Sequence, residues 1–376
     1  MTELNVKRLF DGEQWLTNQK VSILEDKIDD IRPIEQPIPD SDYIDILAPG
    51  FIDVHVNGGG EILFNHTPSL DALKAIIKSH AQFGTVAMMP TLISDDYDIM
   101  VQAHEAVCTA LKQNVGGILG LHYEGPYLNP IRKGVHNEDK LRAPNEERLF
   151  KILDVVKQGK LMVTLAPEKV PQGFIEKLVN EAAIVCIGHS AATYDEAMAA
   201  VESGARGFTH IFNAMTPLTS REPGVVGAAL QNRAKTWCGL IADGHHVHPA
   251  TMRIATAAKG CEHIMLVTDA IQSVGSDKSE LPFLGKKIHR KNGKVTTEDG
   301  TLAGSDLDMA SAVRNTINLI QRTPAEALQM ASLRPAEFLG IDDRFGRIKT
   351  GYQASMVALN QNYHVDRTWI DGKQVY

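Results

Sequence analysis

One glutamate, three histidines and one aspartate stand at the ends of short apolar runs. They are Glu124 in HYEGP, His55 in FIDVHVN, His189 in CIGHSAAT, His210 in FTHIFNAM and Asp269 in LVTDA. A carboxylate oxygen and neutral imidazole nitrogens are the donors that a borderline divalent ion such as zinc takes. Three protein donors with one open position is the catalytic arrangement rather than the structural one. A carboxylate at a strand end, followed by Gly-Pro, cannot be buried without a partner. A single strand-end histidine is more often a satisfied hydrogen-bonding residue. Two at consecutive strand ends, beside Glu124, make Glu124, His189 and His210 a ligand set. Asp269 follows directly on an apolar run, placed to take a proton from a water and return it to a leaving group. His55 is open: it could bind a second ion, hydrogen-bond the water, or simply pack.

Two further segments belong to the same rim. IADGHHVHP carries His245, His246 and His248. With the ligand set filled, these suit hydrogen bonding to a polar or phosphorylated substrate. NAMTPLTSREPGVVGA supplies Asn213, backbone amides near Ala214, and Arg221. Arginine is the residue of choice for phosphate, although a lone arginine is more often an ordinary surface charge.

The elements that must position these residues are legible. Eight apolar runs, starting at FIDVHVN and ending at HIMLVTDA, alternate with stretches of helical period. That pattern predicts an α/β fold, a (β/α)8 TIM-type barrel, whose strand C-termini converge on one catalytic rim. Helices are expected after Ser69, after Thr193 and from Pro249 through Ala258 with Gly260 just past the end, each opened by a capping residue or Pro. The Gly-rich segment from Ser273 to Gly300 is expected as a β-hairpin insertion over the rim. A long amphipathic helix and two short Pro-initiated ones, at PAEALQMAS and PAEFLG, follow. The chain before Leu47 and after Ile348 reads as short strands broken by Asp11-Gly12 and Asp371-Gly372, with a loop at Pro33, Pro37 and Pro39. Neither end holds enough strands for a sheet alone. Pairing them predicts a small β-sandwich domain from residues 1–47 and 348–376, with the barrel spanning 48–347.

The chain has 376 residues, 43% of them hydrophobic, and a net charge of −8. That sustains a large core and argues against nucleic acid or anionic membrane as partner. The absence of a leader-like or long apolar stretch, and four cysteines with no CxxC pair, lead to an expectation of a cytoplasmic protein with free structural thiols.

Taken together, PGFIDVHVNG, GLHYEGPYLNP, KGVH, GHSAAT, THIFNAM, REPGVVGA, IADGHHVH, LVTDA and TLAGS resemble the N-acetylglucosamine-6-phosphate deacetylase family of the amidohydrolase superfamily. They run in family order over nearly the whole chain. The resemblance implies hydrolysis of the N-acetyl group of N-acetylglucosamine 6-phosphate, with N-acetylgalactosamine 6-phosphate as the alternative substrate. A barrel that lost catalysis and only binds is the remote alternative. It implies Glu124, His189 and His210 as metal ligands and Asp269 as acid/base. It implies His136 at the acetyl carbonyl, and Asn213 and Ala214 on the substrate. Arg221 and His246 would hold the phosphate, with Arg221 reaching across a homodimer. Leu302, Ala303 and Gly304 would form a loop over the sugar. One divalent ion is expected, zinc first, with Fe2+, Co2+ or Mn2+ as alternatives. Family members carry Gln-x-Asn or His-x-His where this chain has His55 and Asn57, so His55 is a possible additional ligand. Lys169 lies past its strand end, which disfavours a bridging carbamate.

Overall fold

The computed structural model describes all residues except Pro37, Glu146, Glu147, Phe150, Lys151 and Asp299. The proline of the expected loop at position 37 therefore lies outside the described residues.

The chain opens with β1 (Thr2–Phe10), β2 (Trp15–Leu24), β3 (Lys27–Pro33) and β4 (Tyr43–Pro49). It closes with β18 (Met356–Leu359), β19 (Val365–Ile370) and β20 (Lys373–Gln374). These join into one seven-stranded mixed sheet in the order β20-β19-β18-β4-β1-β2-β3. The two ends thus complete each other, because β4 pairs with β1 on one side and with β18 on the other. Val6, Leu9, Val21, Ile28, Met356 and Trp369 form a core of their own beneath this sheet.

Between the ends lies the barrel. Its strands are β5 (Phe51–Val56), β8 (Thr85–Ile93), β9 (Gly120–Glu124), β10 (Lys160–Leu165), β11 (Ile184–Ile187), β12 (Gly207–Phe208), β13 (Trp237–Leu240) and β14 (Ile264–Leu266). All eight are parallel and neighbours in sequence order. Every residue of β5, β8 and β9 is buried, as expected of strands covered on both faces. A short ribbon of β6 (Gly58–Gly59) and β7 (Ile62–Leu63) follows the first strand.

The helices that wrap the barrel start where local chemistry starts them. Ser69 caps the helix Leu70–Ala81 by accepting from the Ala72 amide. Thr193 and Glu196 form a capping box on Tyr194–Glu202. Pro249 opens a helix that Gly260 ends at φ 87°. The last short helix, Leu333–Leu339, begins two residues before its proline, which sits harmlessly in the first turn where no amide partner is needed. The insertion after Asp269 is larger than a hairpin. It is a three-stranded antiparallel sheet of β15 (Glu280–Phe283), β16 (Lys286–Lys291) and β17 (Lys294–Thr297).

Barrel closure creates part of the site. The Asp269 amide donates to the His55 carbonyl at 3.0 Å, and the Asn57 amide to the Ala270 carbonyl at 2.8 Å. The buried Asp53 carboxylate accepts from the Thr268 hydroxyl and from the His55 amide, clamping the first strand to the chain behind the last. Burial pushes the Asp53 carboxyl up to about 6, against the hydrogen bonds from Thr268 and His55. Side chains more than 200 residues apart in sequence thereby meet (Asn57 and Asp269, |i−j| = 212).

Candidate metal and hydrolytic site

Three of the expected strand-end residues share an unusual backbone. His189, His210 and Asp269 have φ of 48°, 31° and 52°. The left-handed region costs a non-glycine residue roughly 1 kcal/mol or more. Here it turns each side chain inward directly behind its strand. For His189 the turn is held by neighbours: its carbonyl accepts from the Asn129 amide at 2.9 Å. Glu168 then ties the loops together, accepting from the Asn129 side chain, the Ser190 hydroxyl and the Ala191 amide.

The three inward side chains of the expected ligand set converge. Glu124 Oε1 lies 3.0 Å from His189 Nε2 and 3.0 Å from His210 Nε2, and the two nitrogens are 3.1 Å apart. Donor atoms on a tetrahedral ion with bonds of about 2.0–2.1 Å stand about 3.3–3.4 Å apart. The triangle is therefore of the size such an ion requires, and the residues fit it. His189 Nδ1–H donates to the Arg132 carbonyl at 2.8 Å, which leaves Nε2 bare as a ligand nitrogen must be. Burial lowers the His210 imidazole, against the neighbouring Glu124 carboxylate, which favours its charged form. Burial would raise the Glu124 carboxyl, but the His55 imidazole beside it leads the opposing causes, and the net shift is well below its ordinary value.

His55 lies on the far side of Glu124. Its Nε2 is 3.1 Å from Glu124 Oε2 and 3.2 Å from Asp269 Oδ1. Burial opposes its charged form, yet the two carboxylates outweigh this and lift it to about 9. The other member of the His-x-Asn pair, Asn57, donates from Nδ2 to Asp269 Oδ1 at 2.6 Å. Asp269 Oδ1 is thus set between Asn57 and His55, which hold the side chain in place.

These groups open into a cavity of about 160 Å³. His136, Asn213, Ala214 and His246 line it, as do Leu302 and Gly304. Ala303 does not: it is fully buried beneath the insertion with Ile271, Phe283 and Val295. Arg221 is exposed and is not among the residues lining the cavity of its own chain. His245 and His248 are exposed as well. His246 is held by Asp243, whose Oδ2 accepts from Nδ1–H at 2.6 Å and whose Oδ1 accepts from the amides of His245 and His246. Burial lowers the His246 imidazole, but Asp243 outweighs it and the net shift is upward.

His136 is neutral, pushed down to about 3 by burial first and by His189 next. Its Nε2 points toward Glu124 Oε2 at 3.8 Å. The apolar wall opposite comes from Ile93, Val135, Ile271 and Phe283. Sequence reasoning gave no role to Phe283, Ile271 or Ser94. Nothing in their local pattern marks them, since each enters the site only through packing of the insertion or of a neighbouring strand.

The Amidohydrolase family pattern matches residues 46–375. An N-acetylgalactosamine-6-phosphate deacetylase of Shewanella sp. (strain ANA-3) is 45% identical over 332 residues, covering 88% of this chain and 83% of that one. Another of Escherichia coli O157:H7 is 37% identical and covers 98% of each chain. Among solved structures, the N-acetylglucosamine-6-phosphate deacetylase from Pasteurella multocida superposes with a TM-score of 0.93 at 33% identity, over 99% of each chain. The chain belongs to the amidohydrolase family. Within that family it stands among the acetylamino-sugar-phosphate deacetylases.

Proposed function

We propose that this protein hydrolyses the N-acetyl group of N-acetylgalactosamine 6-phosphate, releasing acetate and galactosamine 6-phosphate. The chemistry rests on the triangle of Glu124, His189 and His210 beside the doubly held Asp269. The choice of sugar rests on the 45% and 37% identical relatives, both of which are galactosamine enzymes. This reverses the order expected from the motifs, which put the gluco epimer first. The motifs carry the ligand set, the acid and the acetyl contact, all common to both epimers, and none of them reads the C4 hydroxyl. N-acetylglucosamine 6-phosphate is kept as the second reading because of the fold match to the Pasteurella multocida enzyme.

Glu124, His189 and His210 would hold one divalent ion, zinc first from the donor set, which supplies Lewis-acid polarisation and a lowered water pKa. His55, Glu124 and Asp269 also stand close enough to share an ion, which keeps His55 as a candidate additional ligand. Asp269 accepts the proton of the attacking water and delivers it to the departing amine. His136 donates from Nε2–H to the acetyl oxygen as charge develops there, where a fixed dipole in a dry site is most effective. Ile93 and Phe283 give the acetyl methyl an apolar surface. His246, whose imidazole Asp243 shifts upward against burial, faces the phosphate together with Asn213 and the Ala214 backbone. Arg221 would reach the phosphate of a second copy. Its exposed loop carries Leu218, 57% exposed and suited to burial in a homodimer. Four free cysteines, three of them buried, suit a cytoplasmic setting. Among the described residues no helix is long and apolar enough to cross a membrane.

The test is acetate release from the two 6-phosphorylated epimers in parallel, with and without prior chelation. Chelator-sensitive turnover with preference for the galacto sugar is expected. Preference for the gluco sugar would reverse the substrate assignment, and turnover of neither by metal-loaded protein would end the deacetylase reading.

A further inference from the structure

His136 can serve the acetyl oxygen only if its proton is on Nε2. An imidazole with the proton on Nδ1 would present a bare lone pair to a developing negative charge, and repel it. Burial alone does not choose between the two neutral tautomers. The choice is made by what the other nitrogen meets.

That other nitrogen meets Ser94. Ser94 lies directly behind β8, 6% exposed, in the segment TLISDD. Its backbone N–H reaches His136 Nδ1 at 3.3 Å, and its hydroxyl oxygen is 2.8 Å from the same nitrogen. A backbone amide can only donate, so Nδ1 must be the acceptor. The hydroxyl then donates to it also. Its other acceptor within reach, the Glu124 carbonyl, is 3.5 Å away and is the weaker partner. Both polar groups of one serine therefore converge on Nδ1, and the ring proton is left on Nε2, facing the cavity. His136 is itself 3% exposed and packs edge-on against His189 with ring centroids 4.5 Å apart, so the ring has little room to flip.

We infer that Ser94 is a positioning residue that fixes His136 as its Nε2–H tautomer and so makes it a hydrogen-bond donor to the substrate's acetyl oxygen. This rests on the deacetylase reading above for the identity of the substrate. The tautomer itself does not depend on that reading, and the two are separable by experiment. Serine at this position is not marked by any metal or nucleophile pattern in the sequence. It sits 42 residues from its histidine and meets it only because the strand ends of β8 and β9 are neighbours on the rim.

The experiment has two parts on the full-length, metal-loaded protein. The first is nitrogen NMR on histidine-labelled protein, with the His136 signals assigned by their loss in His136→Asn. The expected result is a bare, hydrogen-bonded Nδ1 and a protonated Nε2. A protonated Nδ1 in the wild type would overturn the inference whatever the activity. The second is kinetics with N-acetylgalactosamine 6-phosphate and its gluco epimer. Ser94→Ala is expected to lower kcat about tenfold, the effect of one net buried hydrogen bond, with KM within about threefold. Ser94→Thr keeps the hydroxyl and is expected to stay near wild type. In a His136→Asn background, Ser94→Ala is expected to cost nothing further, because coupled residues are not additive. Ser94→Ala keeps the backbone amide and removes only the hydroxyl, so an unchanged kcat, or an equal loss in both backgrounds, would overturn the hydroxyl's role through His136, as a protonated Nδ1 would overturn the tautomer. If wild-type protein turns over neither sugar while Nδ1 is bare, the substrate reading fails and the tautomer assignment stands.

Discussion

Replacing Asp269 by Asn separates proton transfer from architecture at this site. In the folded protein Asp269 Oδ1 accepts from Asn57 Nδ2 at 2.6 Å and lies 3.2 Å from His55 Nε2. An asparagine carbonyl oxygen can accept from the same two donors, so the side chain keeps its place and its left-handed backbone. The triangle of Glu124, His189 and His210 does not include Asp269, so metal content is expected to remain at the wild-type value. What disappears is the ability to take a proton from water and pass it to the amine. One positioned acid or base is typically worth about 10²–10⁴-fold. Asp269 is assigned both halves of the transfer, so the expected fall in kcat is toward the upper end, about 10³–10⁴-fold. That corresponds to about 4–5.5 kcal/mol of barrier. The assay is acetate release at saturating substrate, with metal measured on the same samples. A variant within tenfold of wild type, with full metal content, would refute the acid/base assignment.

Other outcomes follow from the same geometry. Removal of the metal by a strong chelator is expected to abolish turnover, and zinc should restore it. His189→Ala, which breaks two edges of the donor triangle, should fail to recover under the same treatment, as read by metal analysis and activity. His246 is raised above its ordinary value by Asp243. Its imidazolium is therefore present below that raised value, and KM for a phosphorylated sugar should climb as pH rises through it. In Asp243→Asn the climb should begin at lower pH, and a pH profile of KM that is identical in the two proteins would contradict the assignment. Gly120 sits where an added Cβ would lie 1.8 Å from the Lys160 carbonyl oxygen. Gly120→Ala must push β9 and β10 apart, a destabilisation of about 3 kcal/mol or more, visible as a lowered urea midpoint.

The barrel, the sheet shared by the two ends and the convergence of the candidate ligands could be read from the chain alone. A buried parallel strand must be apolar at nearly every position, so the residue that ends the apolar run stands out. Glu124, His189, His210 and Asp269 were each found as such a breach. Helix starts were equally local, since a cap such as Ser69 or Thr193 acts within one turn of its own chain. The paired termini were legible because each end alone lacks the strands to hold a sheet.

Tertiary structure decided what depends on which strands are neighbours and how the barrel closes. The sequence left His55 open between ligand, hydrogen-bond partner and packing residue. Closure resolved its surroundings by setting it between Glu124 and Asp269, with Asn57 on the other side of the aspartate. The insertion, expected as a hairpin, became a third sheet whose Phe283 reaches the cavity and whose underside buries Ala303. Ser94, Asp243 and Glu168 acquired partners 42, 3 and 23 residues away, and only the nearest of these is within reach of a local pattern. The types of residue that a hydrolytic metal site needs are imposed by chemistry and show in the sequence. The partners that aim them are imposed by proximity across strands, and proximity exists only once the chain has closed into a barrel.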